Sequence, residues 1–275
     1  MNNSTHKGPI DKGFPDFYTK GIKHYVEHAV SDLEERFRQD TELNIDYGII
    51  RCLKLFDPLD IHTHSSQTIL LTGDPDGSRA LFMKILKTIG SERKQHTTVI
   101  VPQGEGVDIA NSLISQEAKV DIVSDRRAWT DDKYISSFVK DFAAVAHSKI
   151  EIVDAPSLYC SIAFASNLNN LKCLCVAGFP GNYPDEELNT LKGFSAGRNI
   201  PVIVLNDGVP IDHKQLWELI DTCYHMETVK DLEYLLTVES KRLKAKEEAE
   251  VMLNPTRRWI TSMESKSVIK TRLDS

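Results

Sequence analysis

A turn at residues 73–79, with the sequence Gly-Asp-Pro-Asp-Gly-Ser-Arg, carries the residues best suited to binding a phosphate. It follows a short apolar run and precedes a segment with helical spacing, and the N-terminus of a helix presents free N–H groups to an anion. A Walker phosphate loop has four residues between its glycines, followed by Lys and then Ser or Thr. Here three residues separate the glycines and Ser-Arg follows, so the phosphate-binding Lys is missing. We predict a degenerate nucleotide site that contains Gly73, Asp74, Gly77, Ser78 and Arg79.

The two acids of this turn, Asp74 and Asp76, allow more than one interpretation. Like charges where a triphosphate would lie oppose its binding unless a metal ion intervenes. The sequence Asp-Pro-Asp-Gly is also typical of a plain tight turn that binds nothing. A further interpretation is the acidic motif of haloacid-dehalogenase-type Mg²⁺ phosphotransferases. In those enzymes the nucleophilic Asp follows the strand directly, whereas here Thr72 and Gly73 intervene.

A second carboxylate, Asp154, ends the apolar run Ile150–Val153 and is followed by Ala155 and Pro156. Many phosphate-loop ATPases place at such a strand end the carboxylate that orients Mg²⁺ or its water. The same pattern also describes an Asp that caps a helix whose first residue is Pro. Both interpretations stay open, and the first adds Asp154 to the predicted nucleotide site.

Two further segments suggest other chemistry. Asp60-Ile-His62-Thr-His64 resembles the metal-binding opening of amidohydrolase and PHP barrels. No other His-rich strand end accompanies it, so we predict a solvated loop and no metal site. Glu187 follows a glycine-containing segment after an apolar run, as the catalytic carboxylate does in nucleoside-processing Rossmann families. The double-Gly/Thr pattern of those families is absent, so we favour an acid-rich helix start.

The elements that must position these residues alternate between strand and helix. Short apolar strands separated by helices indicate a mostly parallel sheet with helices on both faces, which is a phosphate-loop NTPase-like α/β fold. The predicted strands are Thr68–Thr72, Thr97–Val101, Lys119–Ser124, Ile150–Val153, Leu171–Val176 and Pro201–Leu205. The predicted helices between or after them are Arg79–Ile89, Val107–Ser115, Asp131–Ala146, Pro156–Leu168, Asp185–Gly197 and His213–Thr222.

Helical extensions are predicted on both sides of this α/β domain. Phe14–Asp40 has an apolar stripe at helical spacing, and a short helix is expected at Asp46–Phe56. Val229–Leu253 is rich in Lys, Glu, Leu and Ala, which are good helix formers, and a polar tail follows it. The expected organisation is an N-terminal extension at 1–56, the α/β domain at 57–224 and a C-terminal helix and tail at 225–275.

Composition limits the classes of partner and compartment. The net charge of −7 argues against nucleic acid as the main partner, because phosphate backbones are bound by clustered Lys and Arg. No apolar run approaches the roughly 20 residues that span a bilayer, and residues 1–13 lack the apolar centre of a signal peptide. The five cysteines show no CxxC spacing, which argues against a metal or disulfide framework. We therefore expect a cytoplasmic protein, with the inner face of the membrane as a peripheral alternative.

From about Asp46 to Gly208 the chain resembles the P-loop domain of bacterial tyrosine autokinases, relatives of the MinD/ParA ATPases. The resemblance is carried by the order of elements and by several segments: Tyr47-Gly-Ile-Ile-Arg51, Thr68–Thr72 with its turn, Thr98–Val101, Ile152-Val-Asp154-Ala-Pro156 and Val202–Asn206. It implies ATP or ADP as the nucleotide, Arg51 at an oligomer interface, and a membrane polysaccharide synthase or co-polymerase complex as the partner.

Four departures from this family affect its chemistry. The phosphate-loop Lys is absent, and the strand that should end in an Asp ends in Val101-Pro102-Gln103. The oligomerisation helix has Gly48 and Ile45 where the family has Arg and Glu, and no Tyr follows Tyr234. Together these losses predict a member that kept the fold and lost kinase activity.

The sequence thus favours a non-catalytic or weakly catalytic P-loop-like protein that works as an interaction or regulatory subunit of a polysaccharide machine. We expect such a protein to require no cofactor, and ATP or ADP would at most be a retained ligand. We expect protein partners, a homo-oligomer among them, and neither nucleic acid nor a direct membrane span. Two alternatives remain: an active Mg²⁺-dependent enzyme acting on nucleotides or sugar phosphates, and a MinD/ParA-like positioning factor.

Overall fold

Runs of apolar and β-branched residues form the strands at the centre of the molecule, as expected for segments buried on both faces. They are seen in a computed structural model that describes residues 19–27, 66–123, 132–177, 185–206, 218–241, 245–254, 256 and 258–270. In chain order the strands are β1 (Thr19–Gly21), β2 (Gln67–Gly73), β3 (Thr97–Pro102), β4 (Ile150–Ala155), β5 (Cys173–Val176), β6 (Pro201–Leu205), β7 (Thr222–Lys230), β8 (Glu233–Ser240), β9 (Ala245–Leu253) and β10 (Ile260–Lys270).

All of these strands belong to one sheet with the order β1-β4-β3-β5-β6-β2-β7-β8-β9-β10. The six strands from β4 to β7 in that order are parallel to their neighbours. β1 pairs with β4 in the antiparallel sense, and β7 to β10 form an antiparallel ribbon at the opposite end of the sheet. The carboxyl ends of the parallel strands therefore share one edge, where ligands of such sheets bind.

Helices cover both faces of the parallel strands. They are α1 (Pro75–Leu86), which runs on into a π-helical segment Lys87–Glu92, then α2 (Gly106–Ala118), α3 (Asp132–Ala146), α4 (Leu158–Ala165) and α5 (Asp185–Arg198). Buried side chains of α1 and α2 form one core with the sheet, and those of α4 and α5 form a second core on the other face. The predicted mostly parallel α/β fold with helices on both faces is confirmed.

The prediction of a helix at Val229–Leu253 is wrong, because this segment contributes to three strands of the ribbon. Along β8 the side chains alternate strictly: Tyr234, Leu236 and Val238 are buried, while Glu233 and Glu239 are exposed. The period of two places the buried residues in the same core as α1. Burying such large side chains stabilises the fold by about 1.5 to 3 kcal/mol each, which outweighs helix propensities of a few tenths of a kcal/mol.

The predicted strand Lys119–Ser124 is also wrong over the described residues 119–123. Helix α2 ends at Ala118, and Lys119 follows in the left-handed conformation, with φ of 57°. The Asp121 carboxylate then accepts a hydrogen bond from the Val123 amide at 3.0 Å. Such a local side-chain bond favours a turn over a strand.

The N-terminal helix prediction is correct only in part. Residues 22–27 are helical, but residues 19–21 form β1, which pairs with Glu151, Ile152 and Val153 of β4. The remainder of Phe14–Asp40, together with Asp46–Phe56, lies outside the described residues. The predicted helix His213–Thr222 is wrong at its end, since residues 218–221 form a turn and Thr222 begins β7.

One of the two expected domain boundaries falls among the described residues. The boundary between residues 224 and 225 falls inside β7, which pairs with β2 on one side and β8 on the other. The ribbon is therefore part of the same sheet as the parallel strands. The boundary at residue 56 lies outside the described residues. No helix in the described ranges is both long and apolar enough to cross a membrane.

Gly73 provides a direct test of how the ribbon joins the parallel strands. Its φ is +107°, and a Cβ at this position would lie 2.0 Å from the Met226 backbone oxygen of β7. We expect Gly73→Ala to lower the free energy of unfolding by about 2 kcal/mol or more, from backbone strain and the steric clash together. Urea denaturation of the purified protein measures this change.

Gly193→Ala is the matched control, because Gly193 lies in α5 and a Cβ added there would meet no atom within 4 Å. Removing a glycine from a helix at such a position should stabilise the protein by up to about 1 kcal/mol. Equal stability of the two variants would contradict the close contact between Gly73 and β7.

Candidate functional site

The turn between β2 and α1 is much shorter than a phosphate loop. β2 ends at Gly73 and α1 begins at Pro75, so Asp74 alone connects them. Asp74 is the N-cap residue, and its Oδ1 accepts a hydrogen bond from the Gly77 amide at 3.0 Å. Pro75 at the first helical position has no N–H to offer. The carboxylate of Asp74 thus occupies the position at the helix start where a phosphate oxygen would otherwise accept the bond from Gly77.

Ser78 also has its hydrogen bond within the turn. Its side-chain Oγ donates to the Asp74 carbonyl oxygen at 2.6 Å, and its amide donates to the same oxygen at 2.9 Å. Ser78 is fully buried. The Ser78 hydroxyl, which the sequence placed in the predicted nucleotide site, therefore faces the backbone of the turn and not solvent.

Strand β7 closes the turn from the side. The Asp74 amide donates to the Met226 carbonyl at 2.7 Å, and Thr228 Oγ1 donates to the second oxygen of the Asp74 carboxylate at 2.8 Å. A Cβ on Gly77 would meet side-chain atoms of Met226 and Tyr234 at 3.0 Å. Both of those side chains are buried, so they fill the space beside the helix start.

The predicted nucleotide-site residues separate into two groups. Gly73, Asp74, Gly77 and Ser78 lie together at this turn, and the half-buried Arg79 is the next residue of α1. Asp154 lies at the end of β4, and three strands separate β4 from β2 in the sheet. At about 4.8 Å for each of the four strand-to-strand steps, the two ends are about 19 Å apart. The structure does not bring Asp154 to the turn.

Asp154 instead joins the N-terminal segment to α2. Its Oδ2 accepts a hydrogen bond from the Tyr25 hydroxyl at 2.9 Å, and its Oδ1 accepts one from the Gly106 amide at 3.1 Å. Gly106 is the first residue of α2, and the N-cap residue Glu105 makes no side-chain cap bond. The Asp154 carboxylate therefore supplies the acceptor that the start of α2 lacks. Of the two sequence interpretations, the geometry matches helix capping, but of α2 and not of the helix that follows Pro156.

Tyr25 is held tightly in this cluster. The residue is only 3% exposed, and a Cβ on Gly106 would lie 2.3 Å from its Cε1 atom. Burial raises the pKa of the Tyr25 hydroxyl well above its ordinary value of 10, and the nearby Asp154 charge raises it further. The neutral hydroxyl is thus the form that the folded protein holds.

The remaining candidate residues lie at the start of α1, on α5 or outside the described residues. Asp76 is exposed in the first turn of α1, where a negative charge interacts favourably with the helix dipole. Glu187 is half-buried in the first turn of α5, and burial raises its pKa. Arg51 and the segment Asp60–His64 lie outside the described residues. Within the ranges that the structure describes, no group of three or more His, Cys, Asp or Glu side chains could hold a metal ion.

The sequence interpretation missed Tyr25, Met226, Thr228 and Tyr234. The signal for the ribbon that the sequence does contain is the spacing of two between the apolar residues Tyr234, Leu236 and Val238. Nothing in the local sequence indicates the contact between Tyr25 and Asp154, because 129 residues separate them.

Replacing Tyr25 tests the contact with Asp154. We expect Tyr25→Phe to lower the free energy of unfolding by about 1 to 2 kcal/mol, since it removes a hydrogen bond to a carboxylate. Because the folded-state pKa of Tyr25 is raised, the wild type should lose stability as the pH rises above about 10, where the unfolded chain ionises first. Tyr25→Phe should lose correspondingly less between about pH 8 and 11, as measured by urea denaturation. An identical loss in both proteins would contradict the assignment.

Comparisons with known proteins show similarity at the level of fold. No protein-family profile and no curated protein matches the chain. Among solved structures, one ATPase domain superposes with a TM-score of 0.61 at 14% identity, covering 87% of this chain and 99% of that one. A second structure, described as that of a DnaB-like replicative helicase and its interactions with primase, superposes with a TM-score of 0.57 at 12% identity. This match covers 87% of this chain and 76% of that one. The chain thus has the fold of phosphate-loop ATPase domains.

Proposed function

We propose that this chain is an ATPase-fold protein that carries out no nucleotide chemistry and acts by binding another protein. The observation that carries the proposal is the Asp74 carboxylate, which accepts hydrogen bonds from the Gly77 amide and the Thr228 hydroxyl at the start of α1. A nucleotide phosphate at this position would have to displace that carboxylate and part the turn from β7. The missing Lys of the loop removes the charge that would compensate for this cost.

The second carboxylate supports the same proposal. In the enzyme hypothesis, Asp154 orients Mg²⁺ or water beside the phosphates. Its distance from the turn, about 19 Å by strand spacing, is too long for one metal ion to join the two. Its oxygens also accept hydrogen bonds from Tyr25 and Gly106. A Mg²⁺-dependent enzyme would therefore need groups other than this pair.

Two kinds of protein partner follow from different observations. The sequence resemblance to tyrosine autokinases favours a membrane polysaccharide synthase or co-polymerase complex, reached from the cytoplasmic side. The structural similarity to a DnaB-like replicative helicase favours a replicative helicase assembly. Chemical crosslinking in native cells, followed by mass spectrometry of the crosslinked peptides, separates these partners. A discrete pole or filament localisation with neither partner would instead support the positioning-factor alternative.

The nucleotide-free proposal makes a direct prediction for the purified protein. A ligand present at about 100 times its Kd stabilises the folded state by about 2.7 kcal/mol, which is a shift in Tm of several degrees. We expect no shift with ATP, ADP or GTP at about 5 mM, with or without Mg²⁺, because the helix start is already capped. No phosphate release above a buffer blank is expected.

Asp154→Ala is the control for any turnover that does appear. Hydrolysis that depends on Mg²⁺ and disappears in Asp154→Ala, in protein that remains folded by circular dichroism, would refute the proposal. Hydrolysis that Asp154→Ala leaves unchanged, and that co-elutes with the protein in gel filtration, would also refute it and would place the chemistry on groups other than Asp154. A screen of sugar phosphates under the same conditions tests the remaining enzyme alternative.

A further inference from the structure

One surface of the protein is basic although the whole chain is acidic. Lys149, His96 and Lys172 directly precede the neighbouring parallel strands β4, β3 and β5, and the register of β3 with both neighbours places them side by side. The Lys172 amide donates to the His96 carbonyl at 2.8 Å, which fixes this alignment. Arg93 and Lys94 are exposed in the turn that leads into β3. We call these five residues the basic edge.

At the opposite end of the sheet, one face of the ribbon carries exposed side chains. On β7, β8 and β9 the side chains that point away from α1 are mostly charged or polar and partly or fully exposed. A cross-strand row is formed by Glu227, Leu235 and Glu250. The next row pairs Glu233 with Met252, which is 44% exposed. We define the acidic sheet face as Glu227, Glu233, Leu235, Glu239, Glu250 and Met252.

Two lysines of the ribbon reduce the negative charge of this face only in part. Lys246 forms an ion pair with Glu248 at 3.0 Å, and Lys230 lies opposite Glu233 at the rim. Within the part of the chain that the structure describes, no ion pair involves Glu227, Glu233 or Glu239. The face thus combines an excess of carboxylates with apolar area at the exposed Met252 and the half-buried Leu235, which is the composition of a protein interface.

The two surfaces cannot neutralise each other within one chain. Only β6 and β2 lie between β5, which follows Lys172, and β7, which carries Glu227, so the nearest strands of the two surfaces are about 14 Å apart at about 4.8 Å per step. At physiological ionic strength the Debye length is about 8 Å, which screens attraction over that distance. Direct contact between them requires a second molecule.

We propose that the basic edge of one chain binds the acidic sheet face of a second copy. The inference rests on the protein-binding role proposed above and names its partner as the chain itself. Opposite charges then meet around the apolar centre formed by Leu235 and Met252, which loses its contact with water. Because the two surfaces differ, the contact is head to tail, and each added copy leaves one basic edge and one acidic face free for another.

Sedimentation velocity of the wild-type protein at several concentrations provides the first test. We expect concentration-dependent self-association at about 50 mM NaCl, at least about tenfold weaker at about 500 mM, because salt screens exposed charges. A wild-type protein that is monomeric at every concentration and at both salt levels would overturn the proposal, even if it bound some other basic protein. Association that high salt leaves unchanged would also overturn it.

Charge reversal locates the interface. Glu233→Lys/Glu239→Lys makes the acidic face basic, and Lys149→Glu/Lys172→Glu makes the basic edge acidic. Each double variant alone should associate at least about tenfold more weakly than the wild type, because like charges then meet. An equimolar mixture of the two variants should associate again, since each carries the surface that complements the other.

Asp108→Lys/Glu186→Lys is the matched control for the acidic-face variant, since it makes the same change in net charge at exposed residues of α2 and α5. It should associate as the wild type does, and circular dichroism should show all three variants folded. Reversal variants that associate like the wild type, or a mixture that does not recover association, would refute the head-to-tail interface. The nucleotide measurements do not depend on these outcomes, so either proposal can fail without the other.

Discussion

The hydrogen bonds of Asp74 hold together the turn, the first helix and the ribbon. Its carboxylate accepts from Gly77 and Thr228, and its amide donates to Met226. One residue therefore ends β2, caps α1 and attaches β7 beside them. The φ of Gly73 and the absence of its Cβ allow β7 to approach this closely. A larger loop in this position would separate the helix start from β7 and expose Met226 and Tyr234 to water.

The carboxyl edge of the sheet uses its acids for structure. In a parallel α/β protein, helix N-termini at this edge carry partial positive charge and attract anionic ligands. Here Asp74 provides the anion for α1 and Asp154 provides it for α2. Each carboxylate is held by a second donor from a distant part of the chain, Thr228 in one case and Tyr25 in the other. The fold of an ATPase domain is thus combined with helix starts whose charge is balanced from within, which supports the proposal that the chain carries out no nucleotide chemistry.

The parts of the fold that could be predicted from the sequence are those fixed by local pattern. Runs of apolar and β-branched residues such as Thr97–Val101 favour a buried strand, and the helical spacing between them determines the α/β class. The ribbon could not be predicted in this way because residues 229–253 combine helix-forming composition with alternation at a period of two. The burial of Tyr234, Leu236 and Val238 in the core with α1 decides between them, and it exists only in the folded protein.

The candidate site was predictable to a smaller extent for a similar reason. The junction of strand and helix near residue 74 was predictable, since a strand, a glycine-containing turn and a helix follow one another in the sequence. The predicted helix start at Arg79 was wrong, because the helix begins at Pro75. The order of the strands in the sheet differs from their order in the chain. The separation of Asp154 from this turn therefore could not be predicted from the sequence spacing of the strands. The strand Lys119–Ser124 failed because one side chain, Asp121, bonds to the backbone of Val123 and to Arg258.

The occupation of the first helix start by protein groups is tested most directly by nuclear magnetic resonance of isotope-labelled protein. The amide signals of Asp74, Gly77 and Ser78 are followed during titration with ATP and Mg²⁺. We expect these signals not to move at concentrations up to about 5 mM, because their amides are bonded to Met226 and Asp74. Saturable shifts of these three signals would show that the turn opens to bind nucleotide and would contradict this expectation.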